Sequence, residues 1–484
     1  MTDVPKEIKK ISDHIWEIPK TYKKGMNVSA RIYASEKLLN GMDKGVFEQV
    51  TNVACLPGIK KHAFCMPDGH WGYGFPIGGV AAFDMEKGVI SPGGIGFDIN
   101  CGMRLITTNL SLKEVQPKLK PLVDFLFQRV PTGVGAKGFL RITEDKFKDI
   151  ITQGASWCAE NGYARKEDIQ RIEEYGCIKG ADSRAVSEKA IKRGIKQTGT
   201  LGSGNHYLEI QTASNIFRPE IAKRFGITKP NQIVIMVHCG SRGFGHQVAS
   251  EYLVTFNKVM KDLNLGVKDR ELACAPFKSK EGQDYYKAMA CAANLAFVNR
   301  QVILHRVREC FSETFSKDPE DMGLDLVYDV AHNIAKVEKH NIDGSKEEVI
   351  VHRKGATRAF GPGMPELTKL YRDVGQPVII GGSMETGSHL LVGTETAMNE
   401  TFGSTAHGSG RTMSRTKAKQ MVQGDELQRK MENNGIYVKA ATMSGLAEEA
   451  GLAYKDISDV VDTLEKSGIS KRVVALKPIG NIKG

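Results

Sequence analysis

The 484-residue sequence predicts an α+β fold, one large compact domain of complex topology in which mixed β-sheets are surrounded by helices. Apolar strand-like runs and helical stripes alternate without a regular βαβ rhythm. No fixed-period repeat, low-complexity tract or Pro/Ser-rich linker divides the chain, so residues 1–484 read as a single unit, although length alone would suggest about three domains. Glycine contributes 51 residues, gathered in short motifs at the ends of apolar runs, which places the chemistry on loops.

In chain order, ARKEDIQR (164–171) reads as a solvated helical face and SRAVSEKAIKRGIKQ (183–197) as a short basic helix. QIVIMVHCG (232–240) is a buried strand ending in a glycine loop, followed by helical periodicity over HQVASEYLVTFNKVMKDL (246–263). A long apolar helix spans 283–315. Alternation in DLVYDVAHN (325–333) and EEVIVHRK (347–354) suggests two strands joined by a hairpin-like connection around Asp343-Gly344. QPVIIGG (376–382) repeats the strand-to-glycine design.

Composition narrows the function classes. With 41% hydrophobic and 25% charged residues the chain is globular, and no apolar run approaches the roughly 18 residues of a membrane span. The opening MTDVPKEIKK lacks an apolar signal core, and nine cysteines without a CxxC pair suit a reducing compartment, so a cytoplasmic protein without disulfides is expected. Lys plus Arg exceed Asp plus Glu by 67 − 56 = 11, which favours a polyanionic partner over a neutral one.

Five stretches deliver a histidine or acid into a tight turn: MPDGHWGYGFPIGG (Asp68, His70), GFDINCG (Asp98, Cys101), GTLGSGNHYLEI (Asn205, His206, Glu209), VHCGSRGFGH (His238, Arg242, His246) and VAHN (His332, Asn333). Any one of these, such as His238 or Cys101, is most simply a satisfied core side chain. As a set, Asp98, Cys101, His206, His238 and His332 offer enough donors for two adjacent ions, because imidazole binds transition metals and a thiolate can bridge two. The residue types name zinc first and manganese second. GSGNH (202–206), GGSMETGS (381–388) and HGSGR (407–411) can form backbone nests for phosphate, while neither GxxxxGK[ST] nor a strand-borne GxGxxG is present. Cys55, Cys65, Cys158, Cys177, Cys274, Cys291 and Cys310 read as ordinary thiols, and His14, His62, His305 and His340 as structural.

Taken in order, MPDGHWGYGFPIGG, GFDINCGMRL, GTLGSGNHYLE, VHCGSRGFGH, GGSMETGSHLL and HGSGR closely resemble the RtcB family of RNA-splicing ligases, from about residue 20 to Lys483. The resemblance implies a GTP- and manganese-dependent ligase. It would join RNA ends bearing a 3′-phosphate or 2′,3′-cyclic phosphate to a 5′-hydroxyl, as in tRNA splicing and RNA repair, with tRNA exon halves as partners and archease as activator. It assigns Cys101 as the thiolate shared by two Mn²⁺ ions, Asp98 and His206 to one ion, and His238 and His332 to the other, reversing the preference for zinc. His407 matches the guanylylated nucleophile. Asn205, His206, Tyr207, Leu208, Glu209, His332, Asn333, Gly381, Gly382, Ser383, Met384, Ser388, His407, Gly408, Ser409, Gly410 and Lys483 match guanylate-binding segments, and Tyr454 the residue stacking on guanine. Ser409 stands where many members have Ala. Asp68 could assist activation of a hydroxyl or water, or simply cap a turn. Arg242 and Arg411 could clamp phosphates, or form surface ion pairs. The competing functions are a two-metal phosphohydrolase acting on RNA ends and a noncatalytic RNA-binding factor with structural zinc.

Overall fold

The computed structural model describes residues 3–267 and 269–484. Among the described residues, most strands belong to two mixed sheets. The seven-stranded sheet runs through Lys9–Ser12, Ile15–Ile18, Ser29–Tyr33, His62–His70, Ile77–Asp84, Ser345–Lys354 and Asn333–Ile342, and is mixed because Ser29–Tyr33 pairs parallel with His62–His70. The eight-stranded sheet runs through Leu326–Ala331, Gly102–Ser111, Gln232–Cys239, Tyr207–Ile216, Ser470–Lys483, Ser388–Gly393 and Pro377–Ile380, with Tyr437–Ala440 added parallel to Ser470–Lys483. The α+β expectation holds.

Gln232–Cys239 is buried at every position, as its uninterrupted apolar run requires of a central strand covered on both faces. Part of that cover is the helix Lys280–Phe315, 36 residues or about 54 Å long. It begins where Ser279 Oγ accepts from Gly282 N at 3.1 Å. Every residue from Ala288 to Leu304 is buried, so this helix runs inside the molecule instead of joining a surrounding shell. Its polar side chains Asn294, Asn299, Arg300 and Gln301 are buried with it, and each is hydrogen-bonded to neighbouring segments.

Two local expectations need correction. Leu326–Ala331 does not pair with EEVIVHRK; it lies in the eight-stranded sheet beside Gly102–Ser111. The partner of Ser345–Lys354 is Asn333–Ile342, a third strand whose KVEKHNI sequence is too polar to read as one. The turn is where the sequence puts it, with Asp343 and Gly344 at φ 49° and 85°, the twin left-handed residues of a tight hairpin. ARKEDIQR is not a wholly solvated face, because Asp168 is buried and accepts from Arg308 Nη1 and Nη2 at 2.6 and 2.7 Å.

Toward the C-terminal end, Arg415–Met421, Gly424–Asn433, Tyr437–Ala440 and Met443–Glu448 gather around a small separate core that includes Met384, Leu427, Met431, Val438 and Leu446. Glu449 and Tyr454 follow directly on it. No helix of the described residues is long and apolar enough to cross a membrane.

Candidate metal and nucleotide site

Strand pairing explains why distant turns meet. Gly102 opposes Cys239, Met103 opposes His238, Tyr207 opposes His238, and Ala331 opposes Gly102. Because these pairs are antiparallel, the starts of two strands and the ends of two others share one rim of the eight-stranded sheet. Cys101 and Asp98 precede one start, His206 the other, and His238 and His332 sit at the two ends.

The five side chains converge. Cys101 Sγ lies 3.3 Å from His206 Nε2 and 3.2 Å from His238 Nε2; His238 Nε2 lies 3.2 Å from His332 Nε2; and His206 Nε2 lies 2.8 Å from Asp98 Oδ2. Two groups of potential ligands result, Asp98–Cys101–His206 and Cys101–His238–His332, with the cysteine in both. Donors each about 2.1 Å from a common cation stand roughly 3.0–3.4 Å apart, so the donor set fits divalent ions. His206 Nδ1 donates to the Leu201 carbonyl at 2.9 Å, which leaves the Nε2 lone pair facing the cluster. Arg242 Nη1, 3.0 Å from that same Nδ1, is a packing neighbour, since an N–H cannot accept a second donor.

Electrostatics favour neutral imidazoles here. Burial, reinforced by the neighbouring histidines, holds His238 and His332 well below the usual histidine pKa. Burial and the Asp98 carboxylate push the Cys101 thiol well up, so its thiolate requires a nearby cation. Backbone strain flanks the cluster, with Asn100 and Arg242 at φ 52° and 57°. Asn100 is fastened to the inner helix, its Nδ2 donating to Ala293 O at 2.7 Å while its carbonyl accepts from Arg300 Nη1 at 2.8 Å. Glycine suits 202, where φ is 91° and a Cβ would strike the Arg242 guanidinium, and a Cβ at 240 would make the Asp98 carboxylate shift.

His407 joins from the seven-stranded side, its ring centroid 4.8 Å from that of His332. It follows Ser404–Ala406, which pairs with Ala356–Arg358. Asp68 Oδ2 accepts from His407 Nδ1 at 2.6 Å and from the backbone N–H groups of His407 and Gly408 at 3.1 and 3.2 Å. The Nδ1–H tautomer follows, leaving the lone pair on Nε2. Asp68 is therefore an orienting residue as well as a cap.

Of these groups His238, His332 and His407 open onto a cavity of about 220 Å³, while Asp98, Cys101 and His206 lie behind its wall. Of the sequence candidates, Asn205, Tyr207, His238, His332, Asn333, Gly381, Gly382, His407, Gly408, Ser409, Gly410, Arg411 and Tyr454 line it. Leu208 does not line the cavity: its side chain is buried in the hydrophobic core, on the opposite face of the strand from Tyr207. Ser383, Met384 and Ser388 belong to the adjoining loop and strand start. Glu209 accepts from Gln211 Nε2 at 2.6 Å and Asn481 Nδ2 at 2.5 Å, and burial raises its pKa to about 7. Arg411 is no loose surface pair, since Nη1 reaches Glu449 Oε1 and Tyr454 Oη, both at 3.2 Å. Glu449 also accepts from Tyr454 Oη and Arg415 Nε and stands 3.7 Å from Lys483 Nζ. Met103, Gly355 and Arg415 line the cavity without having been sequence candidates. Met103 was within reach of strand alternation, two residues from Cys101, whereas Glu449 sits in an unremarkable acidic helix end.

Residues 49–484 match the family described as "tRNA-splicing ligase RtcB". The tRNA-splicing ligase RtcB of Archaeoglobus fulgidus is 53% identical over 477 residues, covering 99% of each chain. Those of Methanococcus maripaludis and Thermococcus kodakarensis are each 52% identical, over 477 and 478 residues, again covering 99% of each chain. With its motifs gathered at one rim and its likeness to these proteins extending over almost its whole length, the chain belongs to the RtcB family of tRNA-splicing ligases.

Proposed function

We propose that the protein is a GTP- and manganese-dependent RNA ligase that joins a 3′-phosphate or 2′,3′-cyclic phosphate end to a 5′-hydroxyl end through a guanylate carried on His407. The observation that carries this reading is the pairing of His407 Nδ1 with Asp68, on the wall of a glycine-lined cavity beside the Cys101 cluster. It supports an imidazole held in one tautomer for nucleophilic attack.

In the proposed sequence His407 Nε2 bonds to the α-phosphorus of GTP as the α–β oxygen bridge breaks and pyrophosphate leaves. An oxygen of the RNA 3′-phosphate then takes the guanylyl group, breaking the N–P bond. The 5′-hydroxyl finally attacks the RNA phosphorus, and GMP departs with the bridging oxygen. A cyclic phosphate is first opened by water. Asp68 holds the imidazole throughout and accepts hydrogen-bond density from the ring as it becomes cationic. Tyr454 and Glu209 are assigned to the guanine, the 381–388 and 407–411 loops to phosphate, and Arg242 and Arg411 to RNA or nucleotide oxygens. The metal assignment is Asp98 and His206 for one Mn²⁺ ion, His238 and His332 for the other, and Cys101 for both. When bound, such ions would offset the gathered negative charge and favour ionisation of the attacking hydroxyl. RNA, notably tRNA exon halves, is the proposed substrate, the cytoplasm the proposed location and archease a proposed activator.

Incubation with α-labelled GTP and Mn²⁺ tests the reading. Label should remain on the denatured chain and be lost in His407→Ala. An unlabelled wild-type chain that hydrolyses RNA phosphates would establish a phosphohydrolase instead, and metal-independent RNA binding without either activity a noncatalytic factor.

A further inference from the structure

A second cavity, of about 570 Å³, adjoins the nucleotide cavity and shares His70, Arg411 and Arg415 with it. The proposed chemistry leaves its most conspicuous wall, Trp71, without a task. Trp71 is 65% exposed, more than any other Trp, Tyr or Phe among the described residues.

The indole is nevertheless held. Gly45, in the first turn of the helix Lys44–Val53, packs against its six-membered ring: a Cβ there would lie 2.7 Å from Cε3 and 3.0 Å from Cδ2 and Cζ3. Three contiguous ring atoms at nearly equal distance mean contact through a face, so one face rests on the helix while the other is open. The same helix clamps the next residue, with Gln49 Nε2 donating to Gly72 O at 2.7 Å and Gly72 N donating to Gln49 Oε1 at 3.1 Å. On the other side, His70 Nδ1 donates to the Asp68 carbonyl at 2.9 Å. Lys44, Arg411, Arg415 and Lys417 also line the cavity, against the carboxylates of Asp3 and Asp43. Three of these cations already have a carboxylate partner, Glu48 for Lys44 at 3.4 Å and Glu449 for Arg411 and Arg415 at 3.2 Å, and a fixed aromatic face beside cationic side chains is the combination that binds single-stranded nucleic acid.

We infer that this cavity seats the terminal nucleotides of the RNA strand bearing the 3′-phosphate, with one base stacked on the open face of Trp71 and backbone phosphates met by Lys44, Arg415 and Lys417. The inference rests on the ligase reading, because the group that must reach His407 is the 3′-phosphate. The shared walls supply the direction of entry: Arg411 is four residues beyond His407, and His70 is two beyond the Asp68 that holds it. Stacking tolerates any base, as joining of diverse ends requires.

The test uses the full chain with a single-stranded RNA ending in a 3′-phosphate, 2-aminopurine as its last base, and a dye at its 5′ end. In wild type, binding should quench the 2-aminopurine. Trp71→Ala should abolish the quench and weaken binding about tenfold, the effect of removing one stacking partner, while Trp71→Phe retains most of both. Gly45→Ala, a change that helix propensity alone favours, should reduce the quench by displacing the indole. Self-labelling with GTP is measured on every variant and should be unchanged. Labelling intact with RNA binding and quench unaltered in Trp71→Ala would overturn the inference and leave the ligase reading standing. A Trp71-dependent quench for 2-aminopurine at the first base of a strand with a 5′-hydroxyl, with none at the 3′-phosphate end, would assign the cavity to the other strand and likewise overturn it. Absent labelling in a wild-type chain whose RNA binding still depends on Trp71 would sink the ligase reading and keep the cavity as an RNA seat.

Discussion

At Asp68 one carboxylate oxygen takes three donors, all from His407 and Gly408. Burial alone would raise this carboxyl, but its contacts with His407 outweigh it and the pKa is lowered. Asp68 therefore stays ionised in the fold, a contribution present above the ordinary carboxylate range and lost as pH falls through the lowered value. Asp68→Asn keeps the shape and removes the charge, so the rate of self-labelling with GTP should fall about 100-fold; a rate within twofold of wild type would contradict the orienting role. Glu209 has the opposite sign. Its pKa rises from 4.5 to about 7 through burial, so the folded state prefers the protonated acid and stability declines as pH climbs through that interval. Urea unfolding at pH 5 and pH 8 should show Glu209→Gln losing less stability than the parent, by up to ~3 kcal/mol. Equal losses would argue against it. Residue types alone nominated Asp98, Cys101 and the three histidines, because imidazole, thiolate and carboxylate are what metals bind. Cys101 still looked like a core thiol, and it is indeed only 2% exposed. What separates a ligand from a core thiol is its neighbours, which no local pattern reveals.

The inner helix shows how an element can govern a site it does not enter. Arg300 is fully buried; it donates to both oxygens of Asp329 at 2.8 Å and to the carbonyls of Asn100 and Cys239 at 2.8 and 2.7 Å. Those carbonyls belong to the residue before Cys101 and the residue after His238. Arg300→Met should cost about 3–5 kcal/mol in denaturant unfolding by stranding buried charge and acceptors, and Arg300→Lys should restore part of it without the planar fork. Manganese affinity, measured by titration calorimetry, should drop about 10–100-fold in the Lys variant, as for other supports of metal ligands. Destabilisation with unchanged affinity would limit Arg300 to packing. The helix itself was legible from its apolar length, and so were the buried strands at 232–239 and 377–380. Pairing was not: DLVYDVA and EEVIVHRK are near in sequence but lie in different sheets, since the polar KVEKHNI strand takes the hairpin partner's place.

Across the whole molecule, the formal charge of +11 matters when a polyanion arrives. With about three phosphate contacts on a single strand, RNA affinity should fall roughly twentyfold between about 50 and 200 mM salt, as counterions compete. Self-labelling with GTP should change far less, and parallel loss of both would mean that salt acts on the fold. The domain's α+β class was readable because no linker or repeat interrupts it, whereas the shared rim was not, because register is a property of pairs. That rim has a kinetic corollary. Its touching side chains are separated by 94, 105 and 137 residues along the chain, and the Asp68–His407 contact by 339. Such distances make loop closure entropically costly and assembly slow. A nascent or truncated polypeptide ending before His332 would lack one of the two donor groups, so on the proposed reading competence would emerge abruptly, late in synthesis, and not by degrees.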